Sequence, residues 1–487
     1  MTLRALARGS LLITAANLVP RAGAFLLLPI YARFLSQADF GTVSLAGSAA
    51  LLLAITYRLG LDAALLRMHH DVAAAERRQL YATLVAVSLA AAAAVTVVAV
   101  VLAPVLAAED LLPIVLLAIA IGALNTFQFV PSVWFRATDQ LGRYLGLAIA
   151  AFAAVVVVTV GLVVLVRLGA VGSLVGQLAG AAVMAATAFA ILWRQRPWRF
   201  RTDLARRGLA FGLPLLPHTL AGWLLNVSDR WLLGLLLGLA VADALAQIGV
   251  YSLGYQLGYA IALAAVSFNA AWLPFLYRVG EGPTGPGVLR ESTTLVIAAF
   301  TALAAAVAIL APDLVAIIAP PEWAAAADVS VVVAFASAVN AAGLMLASGI
   351  YLARDTRAMP LLTLAAAAVN VALNVALIPP LGIMGAAWAT LGAYLTLAVL
   401  IGLVASRRSR LRLDLPRLAA VAVAAIGFTL VSRMTGPSSE PLAAAWHVAL
   451  AAVAAAAIVL LVRAPLGRLR ALLATSAPRS GSPEGVG

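Results

Sequence analysis

Apolar stretches long enough to cross a bilayer recur from Ser10 to Val462, separated by short polar breaks. A hydrocarbon core of ~30 Å needs about 20 mostly apolar residues per helix. The alternation of a membrane barrel is absent, and in lipid each backbone amide must bond internally. The pattern predicts an all-α polytopic membrane protein with about fourteen transmembrane helices. Charges, Pro and Gly set the spans near 10–32, 40–61, 80–106, 111–134, 144–166, 169–192, 207–238, 247–276, 293–318, 326–350, 360–378, 383–404, 417–433 and 441–462. Arg4, Arg8 and the apolar run after them imitate a signal peptide, but Arg21 stands where a cleavage region is uncharged, so the first span is expected to stay.

Composition agrees: 64% of the 487 residues are hydrophobic and 10% charged, which excludes a water-soluble globule. The net charge of +13 changes the picture through its placement. All 32 basic residues are arginine, and they sit mainly between spans rather than on one face, which argues against a nucleic-acid partner. With a cytoplasmic amino terminus, 26 arginines fall in segments on that side, while the other side holds Arg33, Arg167 and Arg433. This positive-inside bias predicts that both termini are cytoplasmic. The Ser-, Pro- and Gly-rich residues 464–487 read as a disordered tail. There is no cysteine, hence no disulfide and no thiolate metal site.

The chain also repeats itself. Asp39-Phe40-Gly41-Thr42-Val43-Ser44-Leu45 returns as Gln247-Ile248-Gly249-Val250-Tyr251-Ser252-Leu253, and Leu168-Gly169-Ala170-Val171-Gly172 returns as Leu381-Gly382-Ile383-Met384-Gly385. Trp134-Phe135-Arg136-Ala137-Thr138-Asp139 pairs in the same way with Ile350-Tyr351-Leu352-Ala353-Arg354-Asp355. A similar offset in all three predicts two parallel six-helix lobes, residues 1–200 and 201–406, then two further helices in 407–463 and the tail 464–487. Two lobes with only short external loops suit transport by rocking better than membrane-bound catalysis.

The residues Leu28-Pro29-Ile30-Tyr31-Ala32-Arg33-Phe34-Leu35 followed by Asp39-Phe40-Gly41 resemble the opening of the polysaccharide (O-antigen type) flippases. Gly212-Leu213-Pro214, Ser228-Asp229-Arg230 and Gly249-Val250-Tyr251-Ser252 resemble the start of their second lobe. The resemblance covers residues 5 to 460 and extends to the superfamily that includes lipid II flippases and multidrug and toxic compound extrusion transporters. It implies export of an undecaprenyl-pyrophosphate-linked oligosaccharide from the cytoplasmic to the periplasmic leaflet of the bacterial inner membrane. It further implies membrane lipids and glycan-assembly proteins such as a polymerase as partners. An ion-coupled exporter of amphipathic small molecules on the same fold is the alternative, and a glycan-assembly enzyme is a third.

Ionisable residues within spans point to a pathway or a partner. Arg21, about mid-bilayer, reads as a cavity cation for phosphate or as a structural partner of a carboxylate such as Asp62. Arg230 reads as a second phosphate-binding cation, or as neutralised by its neighbour Asp229. Arg58 and Asp62, four residues apart, are expected to pair along one helix, with Arg58 otherwise available to substrate. His218 is a candidate proton-coupling group beside a core reading, and Asp62 and Asp229 are the acidic candidates for ion coupling. Asn17, Asn125, Gln128, Asn226, Asn269, Asn340, Asn370 and Asn374 are expected to bond mostly between helices, with Asn125 and Asn340 the first choices for a sugar path. No nucleotide, metal or nucleophile motif appears, so no cofactor is predicted.

Overall fold

In a computed structural model of the chain, the structure describes residues 25–106, 111–196, 199–279, 285–353, 357–408, 413–435 and 440–476, with isolated positions at 15, 16, 19, 23 and 437. Among the described residues there is no strand. Thirteen spans are long and apolar enough to cross a bilayer, and Phe25–Phe34 (α1) adds a shorter apolar helix, in keeping with the predicted fourteen.

The chain continues through α2 (Gln37–Arg58), α3 (Leu61–Asp71), α4 (Ala74–Leu106), α5 (Leu112–Thr126), α6 (Phe129–Ala137) and α7 (Leu141–Thr159). After a π-helical turn, Val160–Leu165, come α8 (Gly169–Trp193), α9 (Thr202–Gly212), a 3-10 turn at Leu213–Leu215 and α10 (Leu216–Leu236). The second half holds α11 (Val241–Val279), α12 (Gly285–Ile318), α13 (Ala326–Leu352), α14 (Met359–Leu381), α15 (Ile383–Arg408), α16 (Leu415–Met434), α17 (Glu440–Leu461) and α18 (Arg463–Ser476).

Contacts divide the chain into two compact units: Met1–Gln256 with Leu314–Val329 and Pro360–Ala393, and Leu257–Asp313 with Ser330–Met359 and Tyr394–Gly487. The first has a core of Leu61, Leu65, Leu80, Leu84, Val130 and Val133, and another of Ala46, Ala50, Ile121 and Leu174. The second packs Ile261, Ala304, Ala334 and Ala338 in one cluster and Ala298, Ala425 and Ile458 in another. Small residues suit such interfaces, because lipid gives helices no hydrophobic reason to associate and close van der Waals approach must supply it.

Local chemistry explains the breaks. Ser36 caps α2 in a capping box with Asp39, and Asp39 Oδ1 also accepts from the amide of Ala170 at 3.2 Å, tying α2 to the start of α8. The first glycine of the Leu-Gly-x-x-Gly string turns the same way in both places. Gly169 and Gly382 take φ +56° and +59°, a left-handed turn that glycine adopts without a Cβ penalty. Three residues later, Gly172 lies against Leu162, and Gly385 so close to Leu377 that a Cβ would stand 2.2 Å from its carbonyl oxygen.

Three expectations change. Residues 40–61 do not form one continuous helix, because Leu59 and Gly60 turn left-handed at φ 51° and 72°, ending α2 and starting α3. The span expected near 207–238 is interrupted by a 3-10 turn at Leu213–Leu215 between α9 and α10, where Pro214 and Pro217 supply no backbone donor. The tail expected to be disordered from residue 464 is instead helical to Ser476, where α18 is anchored by Arg468, whose Nε and Nη2 donate to Glu291 at 2.8 and 2.9 Å. That carboxylate raises the pKa of the Arg468 guanidinium. Residues 477–487 lie outside the described residues.

Candidate functional site

The ionisable cluster of the first unit is built on α10. Ser228, Asp229 and Arg230 are all buried, at 4%, 3% and 7% exposure. Arg230 Nη1 donates to Asp229 Oδ1 at 2.9 Å and to the Asn226 carbonyl at 3.2 Å, and its Nε donates to Ser44 Oγ on α2 at 3.1 Å. Tyr251 donates its hydroxyl to Asp229 Oδ2, so both carboxylate oxygens are engaged. The guanidinium carbon lies 4.4 Å from the ring centroid of Tyr255, near enough for the ring's negative face to attract it. Asp229 and Arg230 thus form a close, buried ion pair. Nη2 takes none of the hydrogen bonds described, so the pairing does not exhaust the guanidinium's donors.

Around this pair the two repeats meet through the same string of residues. Ser44 and Ser252 share a hydrogen bond of 2.8 Å. One turn earlier, a Cβ on Gly41 would stand 1.9 Å from the Leu245 carbonyl oxygen and one on Gly249 2.0 Å from that of Gln37. Backbone thus touches backbone between α2 and α11, the contact that small residues permit in lipid. Ser48, one turn further along α2, takes indole donors from two tryptophans of α10, Trp231 at its hydroxyl (2.8 Å) and Trp223 at its carbonyl (3.1 Å).

Ser44 also lines a cavity of about 400 Å³, together with Tyr31, Asn125, Gln128, Gln177 and Gln256 and a wall that includes Leu27, Phe40, Val43 and Ile121. The amide side chains of Asn125, Gln128, Gln177 and Gln256 make no hydrogen bond among the described residues, so each offers two donors and an acceptor. An apolar wall with a few polar groups fits a sugar, which presents hydroxyls at its edges and C–H groups on its faces.

Of the other expected residues, Arg21 and Asn17 lie outside the described residues. Arg58 is half-buried, and its Nη2 donates to the backbone carbonyl of Asn125 at 2.9 Å while its Nε is buried without a partner among the described residues. The expected Arg58–Asp62 pair does not form: the left-handed break at Leu59 and Gly60 destroys the i,i+4 geometry and leaves Asp62 in the first turn of α3. His218 stands at the start of α10 with Nδ1 buried and without a partner among the described residues. Asn340 belongs to α13 in the second unit. The Asn226 and Asn374 amides each donate to a carbonyl four residues earlier in their own helix. Ser44, Tyr31, Gln177 and Gln256 escaped the sequence reading. An isolated glutamine in an apolar span such as Gln177 is the signal that could have found two of them.

A family model described as "Polysaccharide biosynthesis protein" matches residues 6–279. No curated protein matches the chain. Among solved structures, "Lipid II flippase MurJ, inward closed conformation" is similar at TM-score 0.76 and 10% identity, covering 94% of this chain and 100% of that one. An inward-facing multidrug resistance MATE family transporter of the MOP superfamily follows at TM-score 0.54 and 15% identity, over 84% of this chain and 95% of that chain. An outward-facing one has TM-score 0.53 and 14% identity, over 86% and 96%. At these identities the likeness concerns the fold, and the fold lies nearer the lipid II flippase than the drug transporters.

Proposed function

The chain belongs to the polysaccharide biosynthesis protein family and has the helical fold of membrane flippases, and from that premise we propose that it moves undecaprenyl-pyrophosphate-linked oligosaccharide from the cytoplasmic to the periplasmic leaflet of a bacterial inner membrane. The observation that carries the reading is the cavity beside Ser44, the residue that also holds Arg230, with four amides that make no hydrogen bond among the described residues. Amides suit the sugar hydroxyls, and the free donors of Arg230 suit a phosphate oxygen, for which the planar guanidinium is a good match. Arg21, Arg58 and Asn340 remain substrate-binding candidates in this reading, with Asp62, Asp229 and His218 as candidates for ion coupling.

Alternating access is the mechanism proposed. The pyrophosphate is drawn in from the basic cytoplasmic side, the lipid tail stays in the bilayer, and parting of α2 from α11 at Gly41 and Gly249 opens the external face. Glycan-assembly proteins are the expected partners. The test is translocation of a lipid-linked oligosaccharide in vesicles containing full-length protein. Gln128→Ala, Gln177→Ala and Arg230→Lys are expected to slow transport at equal protein level. Undiminished flipping by all three would remove the proposed site.

A further inference from the structure

A second cavity, of about 560 Å³, lies further along α8 in the first unit. Its wall carries Arg77 and Arg78 from the start of α4, Arg143 from the start of α7 and Arg194 just past α8, over Trp134 of α6. Four arginines from three separate parts of the chain thus converge on one concavity. Arg77 Nε donates to the His69 carbonyl at 3.1 Å and Arg143 Nη1 to Gln140 Oε1 at 2.6 Å, and none of the four is in an ion pair among the described residues. Glu76, the carboxylate adjacent to Arg77, is held 2.7 Å from Arg201 instead. Two helices begin here, α4 and α7, and three end, α3, α6 and α8, so their dipoles, equivalent to roughly half a charge at each end, add no net positive potential and the arginine side chains supply it.

A second observation comes from Gln195. It lines the same cavity at 7% exposure, and its Oε1 is buried without a hydrogen-bond partner among the described residues. An orphaned buried acceptor is costly unless a ligand donor satisfies it. Arginines that served only to retain loops in the cytoplasm would need neither convergence nor a buried amide.

We propose that this cavity binds a phosphate ester that also carries a hydroxyl, separately from the transport path. The arginines take the phosphate oxygens and Gln195 Oε1 accepts from the hydroxyl. Two sources share that chemistry, the headgroup of an anionic lipid in the adjoining leaflet and a soluble phosphate of the polyol type.

The test uses the full chain in phosphatidylcholine nanodiscs. One arm adds phosphatidylglycerol and reads retained lipid by native mass spectrometry, and the other titrates glycerol phosphate calorimetrically. Arg78→Gln with Arg194→Gln is expected to weaken binding about thirtyfold in the arm that names the true source. Arg206→Gln with Arg207→Gln, an equal charge change at exposed positions of α9, is expected to weaken it less than threefold. Gln195→Leu is expected to abolish preference for phosphatidylglycerol over phosphatidylmethanol, or, in the soluble arm, for glycerol phosphate over methyl phosphate. No loss in either arm, or an equal loss from the α9 pair, would overturn the site. An unchanged preference in the Gln195 variant would overturn its role toward the hydroxyl.

Discussion

Replacing Arg230 by Met should show how much of the helix assembly rests on one buried pair. The substitution keeps most of the aliphatic volume but removes the ion pair to Asp229, the bonds to Ser44 and Asn226 and the contact with the Tyr255 ring. Asp229, 3% exposed, then keeps the Tyr251 hydroxyl and the backbone amide of residue 230 but no cation, and a buried charge left without its counter-ion costs about 3 to 5 kcal/mol. Replacing both members, Asp229→Leu with Arg230→Met, should recover most of that loss, because apolar isosteres of buried pairs are often neutral. The assay is thermal unfolding of purified protein in lipid nanodiscs, with the double-mutant cycle giving the coupling energy. A single variant destabilised by less than about 1 kcal/mol, or a double variant no better than the single, would refute the reasoning.

The remaining expectations are simpler to read. The chain has no cysteine, so Ser44→Cys with Ser252→Cys gives a clean pair where the hydroxyls are now 2.8 Å apart. An oxidant should link the two, seen as a gel shift, and should stop flipping until reductant is added, whereas full transport by linked protein would exclude opening at this point. Asn125→Leu should reduce transport while changing stability by less than about 1 kcal/mol, since Arg58 uses the backbone oxygen and not the amide. Unfolding measurements alongside the vesicle assay decide it. Arg468→Ala should raise hydrogen exchange across α18, at a cost of about 1 to 2 kcal/mol because Glu291 is buried while Arg468 is about half exposed. Unchanged exchange would show that α18 is held by other contacts.

Hydropathy made the spans legible because lipid imposes one demand on every helix, and neither α8 nor α13 could escape it. Breaks decided by backbone contact were harder to see. Nothing in Arg58-Leu59-Gly60-Leu61-Asp62 separates a continuous helix from a left-handed break until Gly60 meets Gly212, where a Cβ would stand 2.4 Å from a carbonyl oxygen. The pairing of Arg230 with Asp229 was legible as a possibility because the two are adjacent. Its settlement came from Ser44, Tyr251 and Tyr255, which lie far away in sequence. The cavity was the least legible feature, since Gln177 and Gln256 acquire meaning only when α5, α8 and α11 bring their amides into one space. The helical tail misled for a related reason: Glu291, 177 residues away, supplies the anchor that composition could not reveal.

The meeting of Gly41 with the backbone before Gly249, and of Ser44 with Ser252, has a consequence for how these two strings can change over time. At this crossing each copy is the other's neighbour, so a larger residue on either side intrudes on both. The Leu-Gly-x-x-Gly strings do not meet in this way and are held by a different demand, the left-handed turn at Gly169 and Gly382. Mutual contact and turn geometry are thus two separate constraints on a repeated string, and only the first couples the two sites to each other.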